Sequence, residues 1–319
     1  MTATPSLPAV SPSAASSRAT YLVVPQLAQL APLARAWFPE AEWVVEPSRT
    51  SSRPAAVGAR FRGLTSEATS QPGQLRLTWA AHLEGPVEAG ELEAAGLDPV
   101  AKGVVLRLCV APGSPADPRL LAWLRAAARR SGGSVLHGAV PGVPSPRSAP
   151  GVSGFGAAPA EAASVERAEP ESAVELAVYS AVPVAPEVTL GLVRAVVPSA
   201  RILSAPGPDE GIAPYVLALP TQFDGTVELR FSRAGELPVC LLELDWREYG
   251  PFAYRATWQP PFEMSSTTDD SLSRVARARV RPLVARVIFS IQRAAGGAVV
   301  DEDGFVLSHD ELVARAVSM

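Results

Sequence analysis

The sequence contains no asparagine, one lysine and two cysteines among its 319 residues. Without asparagine it has no N-glycosylation acceptor, and an asparagine side chain can play no part in catalysis. Two cysteines are too few for a disulfide framework. Isoleucine occurs only four times, whereas proline occurs 32 times and arginine 27 times. Because the rare residues have A/T-rich codons, the composition indicates a GC-rich, bacterial genome, and the excess of proline and arginine says little about chemistry.

Long apolar runs and a strong net charge are also missing. No stretch approaches the roughly 18 continuous apolar residues of a membrane-spanning helix. Residues 1–18 have neither the basic start nor the apolar run of a signal peptide. The net charge is −4, so no overall basic field exists to hold nucleic acid. We therefore expect a soluble cytoplasmic protein that binds no membrane, and the charge disfavours nucleic acid as a partner.

Two segments rich in proline, serine and alanine divide the chain. Residues 1–18 and residues 141–172 contain almost no large apolar side chains. Because such segments bury too little surface to offset the entropy of ordering, we interpret the first as a disordered tail and the second as a linker. The rest of the chain forms a first lobe, residues 19–140, and a second lobe, residues 173–319.

The two lobes share a sequence pattern. Residues 35–41 read R-A-W-F-P-E-A, and residues 194–200 read R-A-V-V-P-S-A. The same shift of 159 positions matches Val23 with Val182. Near the lobe ends, R-R-S-G-G-S-V at 129–135 corresponds to R-A-A-G-G-A-V at 293–299. Because these landmarks recur in the same order, we predict an internal duplication.

Each lobe alternates strand-like and helix-like patterns in the order β-α-β-β-β-α-β, with room for an extra strand. A helix should begin at Pro118 and end at the Gly132-Gly133 pair, and a longer one should span about 269–295. Helices need a sheet on which to bury their apolar stripe. We therefore expect two similar two-layer α+β sandwiches of the split βαβ kind. An acidic hairpin turn at 301–304 and a short capped helix should complete the second lobe.

A hairpin predicted over 226–246 carries the main candidates for catalysis. A turn at 233–236 would place Cys240 on the core face, and Glu243 and Asp245 together on the other face. Residues two apart on a strand have Cα atoms roughly 7 Å apart. Two carboxylates at that separation can share a metal or divide acid and base roles. An ordinary solvent-facing strand with cross-strand ion pairs explains the same residues without catalysis.

No metal or cofactor site stands out in the sequence. None of the three histidines has another ligand type at a known metal-binding spacing. We expect His82 and His137 to be ordinary loop or strand-end residues, Cys109 to be a structural thiol, and no metal or cofactor to be bound. The glycine pairs follow helices, whereas phosphate-binding loops precede them.

Two features are candidates for an interaction surface. The first is an aromatic stretch that either fills the core or lines a groove for a partner, formed by Phe252, Tyr254, Trp258 and Phe262. The second is a row at positions i, i+3 and i+7 of the long helix, formed by Arg274, Arg277 and Arg281. This row is either a solvated face or a docking site for an acidic partner.

Duplicated α+β lobes without a catalytic constellation are typical of binding proteins. We predict a non-enzymatic interaction or regulatory protein, such as an adaptor, an immunity-type inhibitor or an assembly accessory factor. Its partner is another protein, and a homodimer is the related alternative. A competing hypothesis is a metal-assisted enzyme that uses Glu243 and Asp245, or the acidic residues at 301–303. A weaker third hypothesis is nucleic-acid binding by the arginine-rich helix, residues 269–293.

Overall fold

The structure is a computed structural model that describes residues 19–49, 70–98, 103–114, 117–139, 162–207, 212–261 and 271–317. The predicted tail, residues 140–161 of the predicted first lobe and linker, and Phe262 lie outside the described residues. Within the described residues, no helix is both long enough and apolar enough to cross a membrane. The chain forms two similar α+β lobes, each with a seven-stranded antiparallel sheet packed against helices.

The first lobe contains nine strands or strand fragments and three helices. The strands are β1 (Thr20–Val24), β2 (Glu42–Val45), β3 (Ser48–Arg49), β4 (Ser70–Gln71), β5 (Gly73–Thr78), β6 (Ala81–Gly85), β7 (Val104–Val110), β8 (Ser134–His137) and β9 (Ser164–Arg167), and the helices are α1 (Leu30–Arg35), α2 (Ala89–Ala94) and α3 (Pro118–Ser131). The order across the sheet is β2-β5-β6-β7-β1-β8-β9, while β3 and β4 pair separately.

The second lobe repeats this arrangement. Its strands are β10 (Leu176–Ser180), β11 (Arg201–Ser204), β12 (Tyr215–Pro220), β13 (Thr226–Arg233), β14 (Phe252–Gln259), β15 (Ala298–Asp301) and β16 (Val306–Leu307), and its helices are α4 (Pro186–Arg194), α5 (Ser271–Ala295) and α6 (His309–Val317). The order across this sheet is β11-β12-β13-β14-β10-β15-β16, the same order position by position as in the first lobe. The predicted fold class is therefore confirmed.

Strand register assigns residue equivalences between the lobes. Leu75 pairs with Leu83 in the first sheet, and Leu217 pairs with Leu229 in the second, with all four side chains fully buried. The predicted match of Val23 with Val182 is wrong, because Val182 lies beyond the end of β10. The residue equivalent to Val23 is Tyr179. The carbonyl of Tyr179 lies close to Gly297, just as the carbonyl of Val23 lies close to Gly133. Extra residues between β10 and α4 explain why the shift of 159 positions does not apply to β10.

The helix ends follow from local chemistry. The side chain of Asp117 accepts a hydrogen bond from the Arg119 amide at 2.9 Å, and Pro118 occupies the first turn of α3. Gly132 ends α3 with a φ of 71°, a left-handed conformation that glycine adopts without strain. The predicted bounds of this helix are confirmed. Pro282 lies inside α5, which continues past it as a single helix.

The predicted strand at 238–246 is wrong. Its residues form two short 3₁₀ helices, Val239–Glu243 and Trp246–Glu248. Cys240 and Leu241 are adjacent, and both are buried against the outer face of the second sheet. A strand would point them to opposite faces, whereas a helical turn can bury both. Cys240 is buried as predicted, and β14 takes the place beside β13.

One segment of the predicted linker is a strand. Residues Ser164–Arg167 form β9 and pair with β8 at the edge of the first sheet. Arg125 of α3 fixes this strand through two hydrogen bonds to the Glu166 carboxylate, at 2.7 and 2.9 Å. Because its partners lie at least 27 residues away in the sequence, local composition could not reveal the pairing.

Candidate functional site

Glu243 and Asp245 each form an ion pair with a different arginine. Glu243 contacts Arg35 of the first lobe at 3.2 Å. Asp245 accepts a hydrogen bond from the Arg247 amide at 3.0 Å and forms an ion pair with the Arg247 guanidinium. Because the predicted strand is absent, its alternation no longer places the two side chains on one face, and each carboxylate is neutralised by a different arginine. The proposed shared metal or acid–base pair loses its geometric basis.

The aromatic stretch packs inward. Tyr254 is fully buried, its ring lies 4.8 Å from that of Phe231, and its hydroxyl donates to the Val182 carbonyl. Phe252 and Trp258 pack against the same core, and Trp258 Nε1 donates to the Asp224 carbonyl. Their shared strand parity puts them on the core face. Of the two alternatives for this stretch, core packing is the one found at 252–258, and the interaction surface predicted there is corrected accordingly.

The arginine row of α5 binds the chain itself. Arg274 and Arg277 lie 3.3 and 3.9 Å from the carboxylate of Glu169. Arg281 Nε donates to the Ala173 carbonyl at 3.3 Å, and burial lowers the pKa of its guanidinium. Only Arg274 keeps most of its side chain exposed, at 59%. The row thus fixes residues 169–173 onto the helix, which leaves little of it for an acidic partner or nucleic acid.

An arginine–carboxylate cluster joins the two lobes. The acidic turn between β15 and β16 is the predicted hairpin turn, and it points at the C-terminal end of α3. Arg129 lies 3.0 Å from Asp303 and 3.4 Å from Glu302, and Arg130 lies 3.7 Å from Asp301. We call these five residues the lobe junction. Because their carboxylates are bound to arginine, they do not form an open metal site.

Two aspartates of the lobe junction are buried. Asp301 accepts hydrogen bonds from the Phe305 amide at 2.9 Å and from Arg315 at 3.2 Å. Burial raises the pKa of Asp303 to about 6, although the nearby Arg129 acts in the opposite direction. The Asp303 carbonyl accepts a hydrogen bond from Trp37 Nε1 at 2.8 Å. The junction therefore combines charge pairs with hydrogen bonds that cross between the lobes.

We expect Asp303 to make the protein less stable as the pH rises from about 4 to about 6. Its folded pKa of about 6 exceeds the ordinary value of 3.8, so the folded state keeps the proton longer than the unfolded state. The stabilisation is complete below the unfolded pKa and is lost as the pH rises through the folded pKa. Urea unfolding should show the wild type losing about 1–3 kcal/mol across this range relative to Asp303→Asn. A constant difference between the two proteins would contradict this prediction.

Large aromatic side chains are exposed at equivalent hairpin tips of the two lobes. Trp79 lies in the two-residue loop between β5 and β6, and 86% of its surface is exposed. Phe223 lies in the loop between β12 and β13, and 70% of its surface is exposed. These loops join the same two strands of each sheet. Sequence reasoning missed both residues, although a lone aromatic in each of two corresponding turns was a usable signal.

The two tips are held by contacts that do not involve the aromatic rings. The Ala111 amide donates to the Ala80 carbonyl at 2.8 Å, which fixes the first tip to the end of β7. Thr221 donates through its hydroxyl to the Gly225 carbonyl and accepts from the Asp224 amide, which closes the second tip. The rings therefore project from ordered turns. Beside Trp79 lies a hollow of about 350 Å³ that is lined by Val110 and Leu120, among others.

A cluster of possible ligand side chains lies on the outer face of the first sheet. His82 and Glu84 are two residues apart on β6, and Cys109 is directly opposite His82 on β7. One ligand atom from each side chain lies within 4.8 Å of the other two, and all three residues are half-buried. Of the described residues, these alone bring three histidine, cysteine or carboxylate ligands together. His137 instead contacts Glu166, and His309 lies against Phe289.

Arginine and burial set the protonation states in this cluster. Arg107 donates to Glu84 at 2.9 Å and to Glu91 of α2 at 3.0 Å. The bond from Arg107 lowers the pKa of Glu84, so its carboxylate is ionised at neutral pH. Burial raises the pKa of the Cys109 thiol, whose Sγ lies 3.6 Å from a Glu84 oxygen. Cys109 is therefore a neutral thiol and not an activated nucleophile.

No protein-family model matches the chain, and no curated protein or solved structure is significantly similar to it. The two lobes therefore provide the comparison for each other. We attribute features that recur in both lobes, such as the exposed hairpin tips, to the architecture that the lobes share. Features of one lobe alone, such as the His82, Glu84 and Cys109 cluster, require their own explanation.

Proposed function

We propose that the protein acts by binding another protein through the tips of the β5–β6 and β12–β13 hairpins. The observation that supports this function is the exposure of Trp79 and Phe223 at equivalent positions in both lobes. Aromatic side chains dominate the energy of protein interfaces because they bury a large area at a small entropy cost. Two such anchors on one chain suit a single partner that contacts both lobes.

Neither ring takes part in the hydrogen bonds that close its own hairpin. Trp79 has no hydrogen bond among those of the described residues, and the loop around Phe223 is closed by Thr221 and Gly225. An indole that is 86% exposed adds little to the core, and it leaves apolar surface in contact with water. We therefore expect Trp79→Ala and Phe223→Ala to change the free energy of unfolding by less than about 0.5 kcal/mol. The aromatic side chains are available for a role outside the fold.

Site-specific photo-crosslinking in the native cell tests this proposal. A photoreactive residue is placed at position 79, at position 223 or, as a control, at Val188, which is 56% exposed on α4. We expect the same protein to be captured from positions 79 and 223 and not from position 188. Capture of unrelated proteins at the two tips, or equal capture from position 188, would contradict the proposal. Capture of a second copy of the chain would identify a homodimer as the complex instead.

A further inference from the structure

We propose that His82, Glu84 and Cys109 bind a zinc ion on the outer face of the first sheet. The combination of imidazole nitrogen, carboxylate oxygen and thiolate sulfur is the ligand set that zinc accepts in proteins. Each ligand comes from a paired strand and not from a loop, so the backbone holds their spacing. Sequence spacing does not reveal this site, because Cys109 is 25 residues from Glu84 and only the β6–β7 pairing brings them together.

The distances fit tetrahedral zinc. Zinc lies about 2.3 Å from a cysteine sulfur and about 2.1 Å from a carboxylate oxygen, which at a tetrahedral angle places those two atoms roughly 3.6 Å apart. Cys109 Sγ and Glu84 Oε2 are already 3.6 Å apart. All three ligand atoms lie within 4.8 Å of one another, and tetrahedral binding requires the half-buried His82 ring to bring its nitrogen closer to the other two. Three protein ligands leave the fourth position for water.

The surroundings of the cluster suit a bound cation. Arg107 would remain hydrogen-bonded to Glu84 and orient that carboxylate, as outer partners do in metal sites, while Glu91 balances its charge. When zinc binds, the Cys109 thiol loses its proton to solvent and the sulfur forms the Zn–S bond. The ion's charge of +2 is matched by one thiolate and one carboxylate. The half-buried ligands leave a route for the ion to enter.

The second lobe lacks this ligand set on the same scaffold. Register places Glu228, Arg230 and Thr257 at the positions of His82, Glu84 and Cys109. Arg230 binds Glu228 in an ion pair at 2.7 Å, so that location is already neutral. The backbone arrangement alone therefore does not produce the ligand cluster. The equivalent position in the second lobe therefore serves as an internal comparison that lacks this set of metal ligands.

Titration of the full-length protein with Zn²⁺ and with Co²⁺ tests the proposal. We expect one zinc per chain, release of a proton on binding, and a Co²⁺ complex with thiolate-to-cobalt charge-transfer absorption. Cys109→Ser and His82→Gln should each weaken zinc binding by at least about 100-fold, beyond the effect of losing an outer partner. Cys240→Ser removes the other, buried thiol and should leave the affinity and the cobalt spectrum unchanged.

Two results in which metal does bind would overturn the zinc site. The first is zinc binding that survives in both Cys109→Ser and His82→Gln, and the second is a cobalt complex without thiolate absorption. Circular dichroism confirms that each variant is folded, and Glu84→Gln provides a third, nearly isosteric removal of a ligand. Absence of binding to the wild type at micromolar zinc would also contradict the proposal. Each outcome is independent of whether the hairpin tips bind a partner.

Discussion

Replacing Gly297 with alanine is expected to lower the free energy of unfolding by about 2–6 kcal/mol. A Cβ atom at this position would lie 2.2 Å from the carbonyl oxygen of Tyr179, and the residue has a φ of +102°. The first effect forces β15 away from β10, and the second places a side chain in a conformation that L-residues avoid. Both costs fall on a central strand pair of the second sheet.

The first lobe provides a matched test of the same argument. A Cβ atom at Gly133 would lie 2.0 Å from the Val23 carbonyl oxygen, so Gly133→Ala should be destabilising for the same steric reason. Gly191→Ala is the control, because Gly191 lies in α4 with open space around it and should gain about 0.5–1 kcal/mol. Urea unfolding of the three variants checks these signs. Losses below about 1 kcal/mol at both Gly133 and Gly297 would contradict the steric argument, and a large loss at only one of them would contradict their structural equivalence.

Replacing Asp301 with alanine is expected to destabilise the protein by about 3–5 kcal/mol. The Asp301 side chain is only 2% exposed and lies between Arg130 and Arg315, whose side chains are 18% and 10% exposed. Its removal leaves the buried Arg315 guanidinium without a carboxylate and Arg130 with only Glu311, and it also frees the Phe305 amide. The decrease in the free energy of unfolding should therefore exceed the contribution of any single hydrogen bond.

Glu42→Ala is the control for that experiment. Glu42 forms an ion pair with Arg76 in which the two side chains are 60% and 47% exposed. Water screens such a pair, so its loss should cost no more than about 1 kcal/mol. Thermal or urea unfolding of both variants gives the comparison. Equal effects of Asp301→Ala and Glu42→Ala would show that the lobe junction adds nothing beyond a surface ion pair.

Much of the fold was predictable because it depends on local signals. Pro118 and Gly132 determine the bounds of α3, and the Ser308–Glu311 capping box begins α6 with the Glu311 carboxylate on the Ser308 amide. The position of the glycine pairs after helical patterns predicts the helix ends. Their second members have a further role that no local pattern shows, because the close approach of Gly133 to Val23 involves residues 110 positions apart.

The sites were much less predictable because they depend on distant pairing. The aromatic stretch at 252–258 showed the right strand parity, yet parity alone does not tell which face is buried. The segment 238–246 alternated only in part, and burial of the adjacent Cys240 and Leu241 decided against a strand. The lobe junction unites Arg129 with residues some 170 positions later. Charge composition could not reveal that these arginines and carboxylates neutralise each other.

The most direct test of the proposed function is the affinity of the captured partner for four proteins: the wild type, Trp79→Ala, Phe223→Ala and the double variant. Val188→Ala serves as the matched exposed control. We predict that each tip variant weakens binding by about 30-fold or more, as expected of an interface hot spot. The double variant should bind more weakly than either, and Val188→Ala should bind as the wild type does. Unchanged affinity in the double variant would contradict the proposal that the two hairpin tips form the binding surface.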